Sequence, residues 1–138
     1  MFIDASAIVA ILGREPGARE MEKRLATAEG PFGISPLVRF EAALALARRA
    51  SPDAKPSADL LRRAALAVDA FAAEVAAEEI AITPTIGRLA LEASATYGKA
   101  VGHLADLNFG DCFAYACAKS AGLPLLYKGD DFARTDLA

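Results

Sequence analysis

The stretch NFGDCFAYACAKSAG, Asn108 to Gly122, reads as one helix entered through Asn-Phe-Gly and closed by Gly122. Its first charged residue, Asp111, leads into a face made of Phe113, Ala114, Cys117 and Ala118, so a carboxylate heads an apolar stripe. The run LPLLY that follows is a short buried strand, and KGDDF leaves it. A helix handing over to an apolar strand is the repeating element of a parallel sheet, and the rest of the chain tests whether it recurs.

It does. Met1-Phe2-Ile3 is a short apolar run ended by Asp4, after which Ala5, Ile8, Val9 and Leu12 fall at helical spacing until Gly13. A second helical stretch covers Ala18 to Ala28, and GPFGIS supplies a turn and a strand before Pro36 opens the next helix. That helix runs to Ala50 and ends at SPDAKPS. An alanine-rich helix from Ala58 to Ala77 follows, with Leu61, Ala64, Ala65, Val68, Phe71, Ala72 and Val75 on one stripe, so the two form a hairpin. EIAIT is the third strand, and Pro84 starts a helix that stops near Tyr97-Gly98. Short apolar strands alternating with helices define an α/β fold whose parallel sheet is covered on both faces, with ligands at the carboxyl ends of its strands.

The length of 138 residues suits a single domain, residues 1–138, and the 54% hydrophobic fraction can fill its core. A net charge of −3, with charges mixed along the chain, leaves no basic tail to attract nucleic acid or membrane. MFIDASAIVAILG lacks the cationic start of a signal peptide and no apolar run reaches membrane-spanning length, so a cytoplasmic protein is expected. Cys112 and Cys117 form neither a disulfide framework nor a CxxC pair, and a single histidine, His103, argues against structural zinc.

Several acids converge on the ligand-binding rim. Asp4 ends the first strand, Asp130 and Asp131 follow the last, and Asp111 begins an inward-facing helix. Glu41 shares a helical stripe with Leu37, Phe40, Leu44 and Arg48, which predicts an ionisable group on a buried face. Singly, Asp4 and Asp111 read as helix caps, and Asp130 and Asp131 as turn residues. Together they are acids from four segments with no obvious internal cation, and such carboxylates repel and raise one another's pKa values. A divalent cation is the natural counterion, and oxygen-only ligands suit Mg²⁺ or Mn²⁺. That ion would in turn hold phosphate oxygens.

MFIDASAIVAIL, Glu41 within SPLVRFEAALAL, LNFGDCFAYACAK and LLYKGDDFARTDLA resemble the motifs of the PIN-domain ribonucleases, and closely those of the VapC toxins of bacterial VapBC toxin–antitoxin pairs. The match runs end to end. It implies a PIN-like three-layer α/β/α sandwich with a short, mainly parallel sheet, and endoribonuclease activity dependent on Mg²⁺ with Mn²⁺ as a substitute. It also implies a homodimer and inhibition by a cognate VapB-like antitoxin. Asp4, Glu41 and Asp111 match the family's three firm acidic positions; either Asp130 or Asp131 fills the fourth, with Asp130 favoured. Ser6 matches the small hydroxyl residue beside the first aspartate, where it bonds a carboxylate or a metal-bound water.

On this reading Asp4 and Asp111 hold the principal Mg²⁺, while Glu41 and an acid of the GDDF loop orient its waters or help bind a second ion. Two rivals stand beside it. A phosphoaspartyl protein would use Asp4 and Lys128, but it lacks the second acid such proteins place near the first strand. A catalytically silent interaction module would not need the acidic set. Arg14, Arg19, Lys23, Arg24, Arg48, Arg49, Arg62 and Arg63 read mostly as solvated faces, with Lys119 and Lys128 nearer the site. His103 is expected in an exposed loop, and Tyr115 in the core. The apolar surface of the helices from Pro36 to Ala77 is the expected dimer interface, and an antitoxin arginine is expected near Asp4 and Asp111.

Overall fold

The computed structural model describes residues 1–137. Four short strands, β1 (Phe2–Ile3), β2 (Gly33–Ile34), β3 (Glu78–Glu79) and β4 (Leu125–Leu126), form one parallel sheet in the order β3-β2-β1-β4. The helices between them are α1 (Ala5–Leu12), α2 (Ala18–Thr27), α3 (Pro36–Arg49), α4 (Ala58–Glu74), α5 (Pro84–Tyr97) and α6 (Phe109–Ala121). Steps from β1 to β2 and from β2 to β3 run one way across the sheet, whereas the step from β3 to β4 runs back. Right-handed crossovers therefore put α1 to α4 on one face and α5 with α6 on the other. The packing agrees: α3 lies on α4 and α1, α1 on α2, and α5 on α6, so the expected three-layer sandwich and helical hairpin are both present.

The core is what the strand and helix stripes predict. Phe2, Ile3, Ile34, Leu125 and Leu126 lie fully or almost fully buried between helices that contribute Ile8, Val38, Val68, Ile86 and Cys117. Gly33 allows a close approach, because a Cβ there would stand 2.8 Å from the tip of the Ile80 side chain and make it shift. Each long helix has a hydroxyl cap ahead of it, with Ser35, Ser57 and Thr83 accepting from the amides of Val38, Leu60 and Ile86.

The last strand is Leu125–Leu126 within the expected LPLLY, and three further boundaries differ from the sequence reading by more than a one-residue shift at a helix end. The third strand is Glu78–Glu79 rather than EIAIT, because this exposed edge strand pairs only with β2 and leaves the sheet once the Ile80 amide has bonded the Ile34 carbonyl. The helix expected to reach Ala77 ends at Glu74, where Ala76 turns left-handed at φ 51° and the Ala77 amide closes on the Ala72 carbonyl. Helix α6 starts at Phe109, ahead of the expected Asp111, because Asn108 is its cap.

Candidate active site

Asp4 stands where β1 becomes α1. Its amide donates to the Leu126 carbonyl, which pins it to β4, and its Oδ2 caps α1 by accepting from the Ser6 amide at 2.8 Å. The Ser6 hydroxyl donates to the same oxygen and accepts from the Lys128 amide at 3.0 Å. Ser6 therefore ties the first acid to the loop leaving β4, which is the carboxylate-bonding role among those expected of it. Asp4 is only 4% exposed, and burial pushes its carboxyl pKa up despite the Ser6 bonds.

Asp111 completes the capping box of α6 and also lines the cleft. At the head of α6 the Asn108 side chain accepts from the Gly110 and Asp111 amides, and Oδ2 of Asp111 accepts from the Asn108 amide at 2.8 Å. This reciprocal box orients the carboxylate and leaves Oδ1 for the cleft. Partial burial, with the charges of Asp4 and Asp131 adding to it, raises its pKa to about 6 against the pull of the Asn108 amide.

Glu41 arrives from α3, on a side that differs from the sequence reading. The face of α3 sunk in the core is Val38, Ala42, Ala43 and Ala47, while Leu37, Phe40, Glu41, Leu44 and Arg48 line a cleft of about 560 Å³ together with Asp4, Asp111 and Asp131. The stripe is genuine, but it borders this cleft rather than the core, and Phe40 is 62% exposed. Two helical stripes were available, and the smaller residues took the crowded side. Glu41 is half-buried and makes no hydrogen bond or ion pair among the described residues. Burial first, then the charges of Asp4 and Asp111, lift its pKa to about 7. Its carboxylate lies against the backbone of α6, where a Cβ on Gly110 would overlap both of its oxygens.

Of the two loop acids, Asp131 lines the cleft and its charge acts on both Asp4 and Asp111. Both loop acids are exposed, but Asp130 does not line the cleft. The sequence favoured Asp130 for the fourth position, but it is Asp131 that borders the cleft, in a loop that passes through the left-handed Gly129 into the short helical turn Phe132–Arg134.

Two contributors escaped the sequence reading. Gly110 has a legible signal, a glycine inside the first turn of a helix that Asn108 already caps. Glu15 has none: it lies in the loop between α1 and α2, yet it lines the cleft with its carboxylate bonded to Lys128 and Arg49. Among the other candidates, Lys119 pairs with Asp136, and Tyr115 is buried and donates to Asp136 at 2.7 Å. His103 is half-buried rather than exposed, because its Nδ1 accepts from the Ala105 amide and its ring meets Tyr97 edge-on at 5.4 Å. No helix among the described residues is long and apolar enough to cross a membrane.

The model of the PIN domain family matches residues 1–137 of this α/β/α sandwich, and the chain belongs to that family. Within it the chain is 52% identical to VapC ribonuclease R02377 of Rhizobium meliloti, over 99% of this chain and 98% of that protein. It is 40% identical to Ribonuclease VapC30 of Mycobacterium tuberculosis, over 100% of this chain and 96% of that one. The fold also matches the crystal structure of Mycobacterium tuberculosis VapC20, described as a sarcin-ricin loop cleaving toxin, with TM-score 0.73 and 18% identity over 96% and 92% of the two chains.

Proposed function

We propose that this protein is a metal-dependent endoribonuclease, the toxin of a VapBC-type pair, and that Asp4 and Asp111 hold Mg²⁺ or Mn²⁺. The observation that carries this is an imbalance of charge. Asp4, Glu41, Asp111 and Asp131 border one cleft with no cation paired to any of them among the described residues, and the first three have raised pKa values as a result of burial and mutual repulsion. The donor set is all oxygen, with no histidine or cysteine at the cleft, which fits a hard dication. Among the described residues the acids do not form a cluster of three ligands, so only Asp4 and Asp111 are taken as direct ligands, and Mg²⁺ takes one or two carboxylates and keeps several waters.

When bound, the ion supplies Lewis acidity, acidifying water and offsetting charge on the phosphate oxygens. The protein's part is placement. Asp4, held by Ser6 and the sheet at the end of β1, and Asp111, held by its capping box at the head of α6, each bring one carboxylate to the cleft. Glu41 and Asp131 accept hydrogen bonds from water on the two flanks and so orient the attacking oxygen toward phosphorus as the P–O bond to the leaving ribose oxygen breaks. A phosphoaspartyl role for Asp4 is less well served: Ser6 occupies one of its oxygens, and the Lys128 ammonium is held by Glu15 instead.

A VapB-like antitoxin fits the same imbalance, since a guanidinium delivered among unpaired carboxylates gains bidentate hydrogen bonds without displacing an internal partner. For the homodimer, the apolar groove of about 790 Å³ between α5 and α6, with Leu91 and Phe109 exposed, joins the α3–α4 hairpin, with Phe40 and Leu66 exposed, as a candidate interface. The test of the central reading is incubation of cellular RNA with the purified chain in Mg²⁺ and in EDTA, followed by mapping of new 5′ ends. Discrete cuts in Mg²⁺ alone are expected. Cuts that persist in EDTA, or none at all, would refute the metal-dependent ribonuclease.

A further inference from the structure

The loop Gly13 to Gly17 is bent in an uncommon way. Helix α1 ends with the Arg14 amide on the Ile11 carbonyl at 3.1 Å and the Glu15 amide on the Ala10 carbonyl at 2.9 Å, a closing pattern whose left-handed position is usually glycine. Arg14 occupies it at φ 50°. Pro16 then biases Glu15 toward an extended backbone. The consequence is that a loop glutamate, in a segment that would ordinarily face water, turns into the cleft with its side chain only 16% exposed. There it meets Arg49 of α3 and Lys128 of the loop after β4.

Lys128 is consequently held at both ends. Its amide donates to Ser6 Oγ, the same hydroxyl that bonds Asp4, and its ammonium is bonded by Glu15. Left alone, an ammonium beside Asp4, Glu41, Asp111 and Asp131 would fold onto those acids, since no cation is paired to them among the described residues. Arg49 already neutralises Glu15, so Lys128 is not needed for that purpose. We propose that Glu15 is a positioning residue, which holds the Lys128 ammonium at the rim of the cleft, clear of the metal-binding acids, where it receives a phosphate of the RNA strand. This rests on the ribonuclease reading above and adds to it the cation through which an acidic cleft grips a polyanion.

The test is steady-state cleavage, over a series of NaCl concentrations, of an RNA cut by the wild-type protein in Mg²⁺, with the melting temperature of each variant recorded alongside. Lys128→Gln should raise KM roughly tenfold, as expected for a lost charge-assisted phosphate bond, with kcat changed less than about twofold. It should also flatten the dependence of log KM on log salt by about 0.7, one phosphate contact on a single strand. Lys128→Arg should restore the slope. Glu15→Gln should raise KM several-fold and add nothing on top of Lys128→Gln, because it acts through that residue. A merely structural clasp would lower melting temperature and leave the salt slope alone. An unshifted slope in Lys128→Gln, or additive effects of the two substitutions, would overturn this inference while leaving the nuclease intact. A wild-type protein that cuts no RNA would remove both.

Discussion

Glu15 and Glu41 line the same cleft and have opposite electrostatic fates. Glu15, on the wall built by the loop after α1, is bonded by Lys128 and Arg49, and its pKa is held below the ordinary glutamate value chiefly by the Lys128 hydrogen bond. Glu41, on the wall where α3 meets α6, has no cation partner among the described residues and is lifted to about 7 by burial and the charges of Asp4 and Asp111. On the proposed reading, this difference is where function enters. A fold that can bring two cations to one acid of a cleft leaves its neighbours unpaired only at a cost to stability, and unpaired carboxylates at that point form a receptor for a positive charge from outside.

The contrast breaks most completely at Asp111. Asp111→Asn keeps the shape and much of the capping box but removes one charge from the unpaired wall, so Mg²⁺-dependent cleavage should fall by roughly 10³-fold, about 4 kcal/mol of lost transition-state stabilisation. Without metal, the variant should melt no lower than wild type, as less repulsion remains. Retained cleavage would dismiss Asp111 as a ligand; lost cleavage with a large drop in apo Tm would reduce it to a structural cap.

Gly110→Ala attacks the same wall without touching a charge. The new methyl group and the Glu41 carboxylate cannot share their space, and the flexible glutamate is the one that moves. Cleavage should drop by ~10- to 100-fold, while Tm holds or rises, because alanine is a better helix residue by up to about 1 kcal/mol. A near-normal rate would mean that Glu41 works equally well elsewhere.

A smaller effect separates the two loop acids. Asp131→Asn should slow cleavage by about tenfold through a mispositioned water, whereas Asp130→Asn should stay within about twofold of wild type. The reverse ranking in parallel initial-rate measurements would return the fourth position to Asp130.

Stability against pH gives the smallest and most diagnostic signal. Glu41, raised from 4.5 to about 7, and Asp111, raised from 3.8 to about 6, bind protons more tightly folded than unfolded. They favour folding below their unfolded values, and that contribution is lost as pH climbs to their folded ones. Glu15 and Asp136, with lowered values, act oppositely and only at more acidic pH. The metal-free protein should therefore melt about 5 °C lower at pH 7.5 than at pH 5.5, and Glu41→Gln should flatten much of that slope. A Tm that rises over this range would contradict the unpaired wall.

The acids of the unpaired wall were largely legible from the chain because each sits at a local junction. Asp4 ends an apolar strand, Asp111 begins a helix after Asn108, and Glu41 interrupts an apolar stripe. Local signals also misplaced features where two solutions had similar local merit. On α3, the stripe through Leu37, Glu41 and Leu44 and the stripe through Val38, Ala42 and Ala43 are both apolar enough to be buried, and only the crowding of α1, α4 and α6 decided between them. Asp130 and Asp131 are adjacent and chemically identical, so a turn geometry separated them.

By itself the chain determined the alternation of strand and helix, the parallel sheet, and the delivery of acids to the carboxyl ends of its strands, because period, caps and turn residues act over a few neighbours. Tertiary structure alone decided which charges would be neutralised. Lys128 and Glu15 are separated by 113 residues, and Glu41 meets Gly110 across the cleft between α3 and α6. Coulomb forces and steric overlap depend on distance in space, and no local pattern encodes which of five acids receives the cations and which are left unpaired.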